Sequence, residues 1–243
     1  TIKLWQNYGE LIKKIPAHND VILSLAWSNN GNIFASGSKD KTVKLWRRNG
    51  ELITTLKGHQ QAVNWVSFNR DGNLIASASD DNTVKIWHKS GKLLHTLTEH
   101  KSPVFGLSWS KKNNILASAS LDGTVKLWNQ KGELQQTLTV EGEEFTGVTF
   151  SPDGKLLAAT SEDKVKLWQR DGTLLITLKA DREEFTSISF SPDGKNLLSG
   201  TNRGTIIVRD LDNLTLEKLR IKGCDALEDY GNVSEGLCLK KEL

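Results

Sequence analysis

A unit of about 41 residues recurs along this chain and restricts its fold more than any other feature of the sequence. Trp5, Trp46, Trp87 and Trp128 stand 41 apart, Trp168 follows after 40, and Arg209 takes the same place 41 later. The single lost residue falls between Asp163 and Val165. Self-similarity at a period near 40 marks a repeat architecture, in which each copy is a supersecondary unit unable to bury its apolar face alone. The stretch from Leu56 to Trp87 shows the unit whole. A Gly58-His59 pair opens it, two strand-like runs flank an Asn-Arg-Asp-Gly turn, and an Asp81-Asn82-Thr83 turn leads to a third run ending in Trp87.

Each copy holds runs rich in Val, Ile, Leu, Thr and Trp between turns of Gly, Asn and Asp, which predicts short antiparallel strands. A fourth run, such as Leu52 to Leu56 or Leu93 to Leu97, closes the unit. The first run carries an apolar pair two residues apart: Leu25/Trp27, Val66/Phe68, Leu107/Trp109, Val148/Phe150 and Ile188/Phe190. That spacing puts both side chains on one sheet face. The second run is built of small residues, as in Ala76-Ser77-Ala78-Ser79, and suits strands crowded near an axis. Small four-stranded sheets of this kind bury their faces by stacking radially on one another. The expected fold is all-β: a propeller with five full repeats and, at residues 1–5 with the turn and strand after Gly9, a partial N-terminal blade.

The Gly-His opening, the Ser-Pro-Asp-Gly turns at 151–154 and 191–194, the Leu-Ala-Ser-Ala-Ser runs, the Asp-x-Thr turns and the Val-Lys-Leu-Trp runs resemble those of WD-repeat β-propellers. More narrowly, the compact spacing and the Cys-Asp tail resemble the C-terminal propellers of large cyanobacterial signalling proteins, some of which carry an upstream STAND-type NTPase. The resemblance implies a protein or peptide partner, with a partner domain upstream in the same polypeptide as a further expectation. A chain without methionine that starts inside a repeat is expected to be part of a longer protein.

At 243 residues the repeat favours one domain, with the propeller over 1–222 and a tail over 223–243 in which residues 223–231 are expected to form two helical turns. No run approaches the roughly 18 apolar residues of a membrane span, and the opening Thr-Ile-Lys-Leu-Trp has no signal-peptide character. The expected setting is the cytoplasm, away from any membrane, with Cys224 and Cys238 as free thiols. The 32 basic and 29 acidic residues are interspersed, giving a net charge of +3 without the concentrated basic face that nucleic acid requires. No phosphate-cradling glycine motif or metal-ligand spacing occurs, so neither cofactor nor metal is expected.

Three repeats hold Ser, His and Asp, the elements of a hydrolytic triad. They are His18, Ser36, Asp40 with Trp46; His59, Ser77, Asp81 with Trp87; and His100, Ser118, Asp122 with Trp128. Three identical sets argue for structure over catalysis. An Asp in a tight turn is expected to accept from imidazole, imidazole to bond the hydroxyl, and the hydroxyl to meet the indole N–H, so that each buried polar group is satisfied. The same tetrad is what the resemblance implies. The later repeats lose it, with Glu141 and Asp181 in the place of His, Ala159 in that of Ser, and Arg203 and Arg209 in those of Asp and Trp. The chain is therefore expected not to be an enzyme.

The resemblance to WD repeats further implies partner contacts at one rim, from the residues before the tetrad Asp (Lys39, Asp80, Leu121, Glu162) and those at the kink of the first strand (Leu23, Asn64, Trp65, Phe105). Trp65 and Phe105 stand where other repeats hold Ser, Gly or Thr, and with Leu121 they form a candidate apolar patch of the kind that anchors interfaces.

Overall fold

The computed structural model describes residues 1–180 and 183–211, and among these it is built of strands and turns. A two-stranded sheet of β1 (Ile2–Trp5) and β2 (Leu11–Ile15) comes first. Four four-stranded antiparallel sheets follow. Blade 1 is β3 (Ile22–Trp27), β4 (Ile33–Ser38), β5 (Thr42–Arg47) and β6 (Leu52–Lys57). Blade 2 is β7 (Val63–Phe68), β8 (Leu74–Ser79), β9 (Val84–His88) and β10 (Leu93–Leu97). Blade 3 is β11 (Val104–Trp109), β12 (Leu116–Ser120), β13 (Thr124–Trp128) and β14 (Leu134–Thr139). Blade 4 is β15 (Gly147–Phe150), β16 (Leu156–Ser161), β17 (Lys164–Gln169) and β18 (Leu174–Lys179). Blade 5 shows three strands, β19 (Phe185–Phe190), β20 (Asn196–Thr201) and β21 (Ile206–Asp210). Its expected fourth strand, the tail helix, Asp181 and both cysteines lie outside the described residues.

Sequential strands pair as neighbours in every sheet, so each blade is a meander. The deleted residue of the fourth repeat shortens one turn, where Ser161 pairs directly with Lys164 and Glu162-Asp163 make the whole connection. Burial follows the period-2 pattern read from the sequence in blades 2 to 4, whereas Leu25 and Trp27 of blade 1 stay 56% and 51% exposed. Val66 and Phe68 enter one buried cluster with Ala35, Val43 and Leu45 of the preceding blade. Leu107 and Trp109 do the same against Ala76, Ala78, Val84 and Ile86. Each interface is thus the rear of one blade's first strand against small and branched residues on the front of the blade before it.

First strands from all five blades line one cavity of about 260 Å3, through Trp27, Trp65, Trp109, Val148 and Ile188 among others, so they surround a common axis. Crowding there is severe. A Cβ on Gly106 would lie 2.9 Å from Gly147 Cα and 3.0 Å from Val148 N of the next blade, backbone that has no room to yield.

Candidate functional site

The tetrads begin with a turn. In blades 1 to 3 the second and third strands join through Asp40-Lys41-Thr42, Asp81-Asn82-Thr83 and Asp122-Gly123-Thr124, whose central residues have φ of 70°, 65° and 80°. That left-handed geometry swings the Thr back toward the Asp. Thr83 donates to Asp81 Oδ1 from its hydroxyl at 2.6 Å and from its backbone N–H at 3.0 Å. The other carboxylate oxygen accepts from the Gln60 backbone N–H at 2.8 Å and from His59 Nδ1 at 2.8 Å. Beyond the ring, His59 Nε2 lies 2.8 Å from Ser77 Oγ, and Trp87 Nε1 donates to the same oxygen at 2.8 Å. Blade 1 repeats this at His18–Asp40 2.8 Å, His18–Ser36 2.7 Å and Trp46–Ser36 2.9 Å. Blade 3 repeats it at His100–Asp122 2.9 Å, His100–Ser118 2.7 Å and Trp128–Ser118 2.8 Å.

Only one proton order satisfies every member. An indole can only donate, so the Ser oxygen accepts from it and gives its own proton to Nε2, which leaves Nδ1 protonated and donating to Asp. The arrangement has the composition of a triad, but the hydroxyl is enclosed: Ser36, Ser77 and Ser118 have no exposed surface. The indole N–H already engages the hydroxyl oxygen. What these groups do chemically is hold the second and third strands and the incoming loop together, at no cost in unpaired buried polar atoms.

The pKa shifts express the same enclosure. Burial pushes the Asp40 carboxyl up, yet hydrogen bonds from Thr42, His18 and the Asn19 backbone outweigh it and hold the group at about 2. Asp81 and Asp122 lie lower still, against the same burial, through His59 and Thr83 and through His100 and Thr124. Burial lowers His18 below its ordinary 6.5 and exceeds the raising effect of Asp40. A lowered imidazole means that the unfolded chain takes the proton first, so stability should begin to fall as pH drops through 6.5. The lowered carboxylates contribute stability fully present above 3.8, which should be lost as pH falls from there through about 2. Urea midpoints from pH 8 to 2 are expected to show a shallow decline and then a steep one below roughly pH 4. A midpoint that rises on acidification would contradict this proton order.

Blade 4 replaces the tetrad by means the sequence did not reveal. Phe145, with no exposed surface, meets Trp168 edge-on at 5.8 Å and 65°, much as His100 meets Trp128 at 6.2 Å and 63°. The benzyl ring occupies the imidazole's slot from four positions beyond Glu141, and Ala159 no longer needs a hydroxyl. Nearby, Glu143 takes over the turn: Ser161 donates to it at 2.5 Å, and Lys164 and Lys166 lie 2.9 and 3.4 Å from its Oε1. Burial would raise the Glu143 pKa, but Ser161 and Lys164 lower it. In blade 5, Arg209 is exposed and Phe185 is buried in the cluster shared with blade 4.

The candidate rim residues fall into two groups. Leu23, Asn64 and Phe105 are the unpaired residues of register shifts between Ile22 and Ser24, Val63 and Trp65, and Val104 and Gly106. Such bulges re-aim side chains. Asn64 is nevertheless drawn inward, donating to Asp80 Oδ1 at 2.6 Å and to Val104 O at 3.1 Å, so these two residues brace adjacent blades. Leu23, Lys39 and Glu162 are exposed, and Phe105 and Leu121 are partly so. Trp65 is 41% exposed and lines the axial cavity beside Trp27 and Trp109, while Phe105 and Leu121 are absent from that lining. The aromatic surface therefore divides between the cavity and the rim. Among the described residues no cluster of His, Cys, Asp and Glu could hold a metal ion, and no helix is long and apolar enough to cross a membrane.

Comparison with known families agrees with this geometry. The family model WD40, described as WD domain, G-beta repeat, matches residues 9–47, 50–88, 91–129, 132–169 and 172–210. Each match begins in the turn before a fourth strand and ends with the third strand of the following sheet. Sequence repeat and sheet are thus offset by one strand, which ties successive blades covalently. No curated protein matches the chain.

Proposed function

The chain belongs to the WD40 family, and from that premise we propose that it is a non-catalytic scaffold that recognises a protein or peptide through the rim carrying Leu23, Lys39, Phe105, Leu121 and Glu162. Repeats of this family generally mediate protein–protein interaction. The observation that carries the reading is the division of labour within blades 1 to 3. The Ser, His and Asp groups are consumed by packing, whereas the bulged strands and the turns beside them leave apolar and charged side chains that packing does not use. We place this scaffold in a larger cytoplasmic signalling protein. On the narrower sequence resemblance, one partner is an NTPase domain of the same polypeptide that the propeller holds inactive.

Selection of a displayed peptide library on the folded protein tests the rim. Selected peptides should bind the Phe105→Ala, Leu121→Ala double variant at least tenfold more weakly, with thermal midpoint nearly unchanged. Binding should survive Arg70→Ala in a turn at the opposite end of the first strand. Peptides indifferent to the rim substitutions and sensitive to the opposite turn would overturn the assignment.

A further inference from the structure

Between blades 1 and 2, at the end of the sheets away from the tetrad turns, lies a groove of about 690 Å3. That is a volume common for ligand sites. The turns joining third and fourth strands form its walls, Arg47-Arg48-Asn49 from blade 1 and His88-Lys89-Ser90 from blade 2, with Ile33 and Ile53 beside them. All of these residues belong to complete four-stranded sheets or to the turns within them. Each turn is tightly built: the Gly50 N–H donates to Arg47 O and the Gly91 N–H to His88 O, both at 2.8 Å. The second residue of each is pinned as well, with the Arg48 N–H donating to Asn32 O and the Lys89 N–H to Asn73 O at 2.9 Å. Two cations are thus carried on fixed backbone at equivalent points of adjacent blades.

The polar lining is made of donors and cations, and among the described residues no carboxylate lines it. Arg47 meets Glu51 at 3.7 Å, but both side chains are solvent-exposed and such a pair is weak. Arg48 and Lys89 have no ion-pair partner among the described residues. His88 Nδ1 accepts from the Ser90 backbone N–H at 3.2 Å, which leaves the ring proton on Nε2 as a further donor. The scaffold does not require these charges. The positions of Arg47 and Arg48 hold Asn129 and Gln130 in blade 3, and Gln169 and Arg170 followed by Asp171 in blade 4. Those blades close the same turn, through Gly132 to Asn129 and Gly172 to Gln169.

We propose that this groove binds a phosphorylated serine or threonine of a peptide segment, with the phosphoryl group between Arg48 and Lys89 and an aliphatic neighbour of the phosphorylated residue against Ile33 and Ile53. A phosphate ester at neutral pH carries about −1.5 to −2 charges and three strong acceptor oxygens. The two fixed cations, with the donors of Asn49, Ser90 and His88 around them, suit that charge and that number of acceptors, whereas one carboxylate would leave donors unused. A lipid surface is a poorer match. The turns at this same end of the blades also carry Asp71, Asp153, Asp171 and Asp193, all exposed, and an anionic bilayer would have to approach them. The groove is separate from the rim of Leu23, Phe105 and Leu121, which lies at the other end of the strands.

The probe is a peptide library fixed at a central phosphoserine, selected on the folded protein at about 0.15 M salt, where long-range attraction is screened. Selected peptides should carry an aliphatic residue next to the phosphoserine, bind one to one and saturably, and lose at least tenfold in affinity when dephosphorylated. Arg48→Gln with Lys89→Gln in the protein should weaken them at least tenfold as well. Both side chains are exposed, so the thermal midpoint should stay where it is. Lys131→Gln with Arg170→Gln, which removes the same charge outside the groove, should leave affinity within twofold, and so should the rim variant Phe105→Ala, Leu121→Ala. No phosphate-dependent selection, binding indifferent to Arg48 and Lys89, an equal loss in the Lys131 and Arg170 variant, or a tenfold loss in the rim variant would each overturn the proposal. So would full competition by inorganic phosphate at the peptide's own concentration, or capture of phosphatidylserine vesicles in place of the peptides.

Discussion

Replacing Trp87 with alanine should cost about 3–5 kcal/mol of folding stability, the range for removing a buried aromatic and leaving part of its volume empty. The indole is 2% exposed, sits in the cluster joining blades 1 and 2, and donates to Ser77. Domains are typically stable by only about 5–15 kcal/mol, so one substitution removes a large share. Trp87→Phe separates the two contributions. It keeps most of the apolar contact and drops the N–H, and it should cost about 1–2 kcal/mol through a Ser oxygen left short of a donor. Urea denaturation of both variants checks this, and a loss below about 1 kcal/mol for Trp87→Ala would show that the indole is not part of the scaffold.

Phe145→Ala should be as damaging, at about 3–5 kcal/mol, although Phe145 has no place in the tetrad pattern. Its ring is fully enclosed with Leu127, Leu138, Val148 and Trp168. Phe145→His is the informative companion. An imidazole there would find Ala159 in place of a Ser, and Ser161 donating to Glu143, so it would bury polar nitrogens without their usual partners. A histidine that stabilised blade 4 would contradict the view that this blade has exchanged a polar relay for apolar packing.

The architecture was legible because it rests on periodicities that survive without tertiary context. The 41-residue spacing of tryptophans set the blade count, the alternation in Val66/Phe68 and its equivalents set the faces, and the Asp-x-Thr turns located the tetrads. Phe145 was not legible, because alignment by position points to Glu141 and nothing in the local sequence shows the chain bringing a ring back four residues later. Asn64 was read as a contact residue because a bulge position commonly faces outward. Its amide instead found Asp80 and the next blade's carbonyl, partners visible only in three dimensions. Trp65 and Phe105 lie on the first strands of adjacent blades and are one position apart in the repeat frame, and that one-residue difference relative to the bulge turns Trp65 to the axis.

The most direct test separates scaffold from recognition in a single variant. Ser77→Ala leaves His59 Nε2 and Trp87 Nε1 without their shared partner and should destabilise the fold by about 1–3 kcal/mol, while touching nothing on the rim. The decisive quantity is its affinity for a rim-selected peptide, measured at a temperature where the variant remains folded. An affinity within twofold of the parent protein is the expected result. A tenfold or greater loss in the folded variant would show that the buried Ser–His–Asp sets take part in recognition, and would contradict their assignment as internal bracing.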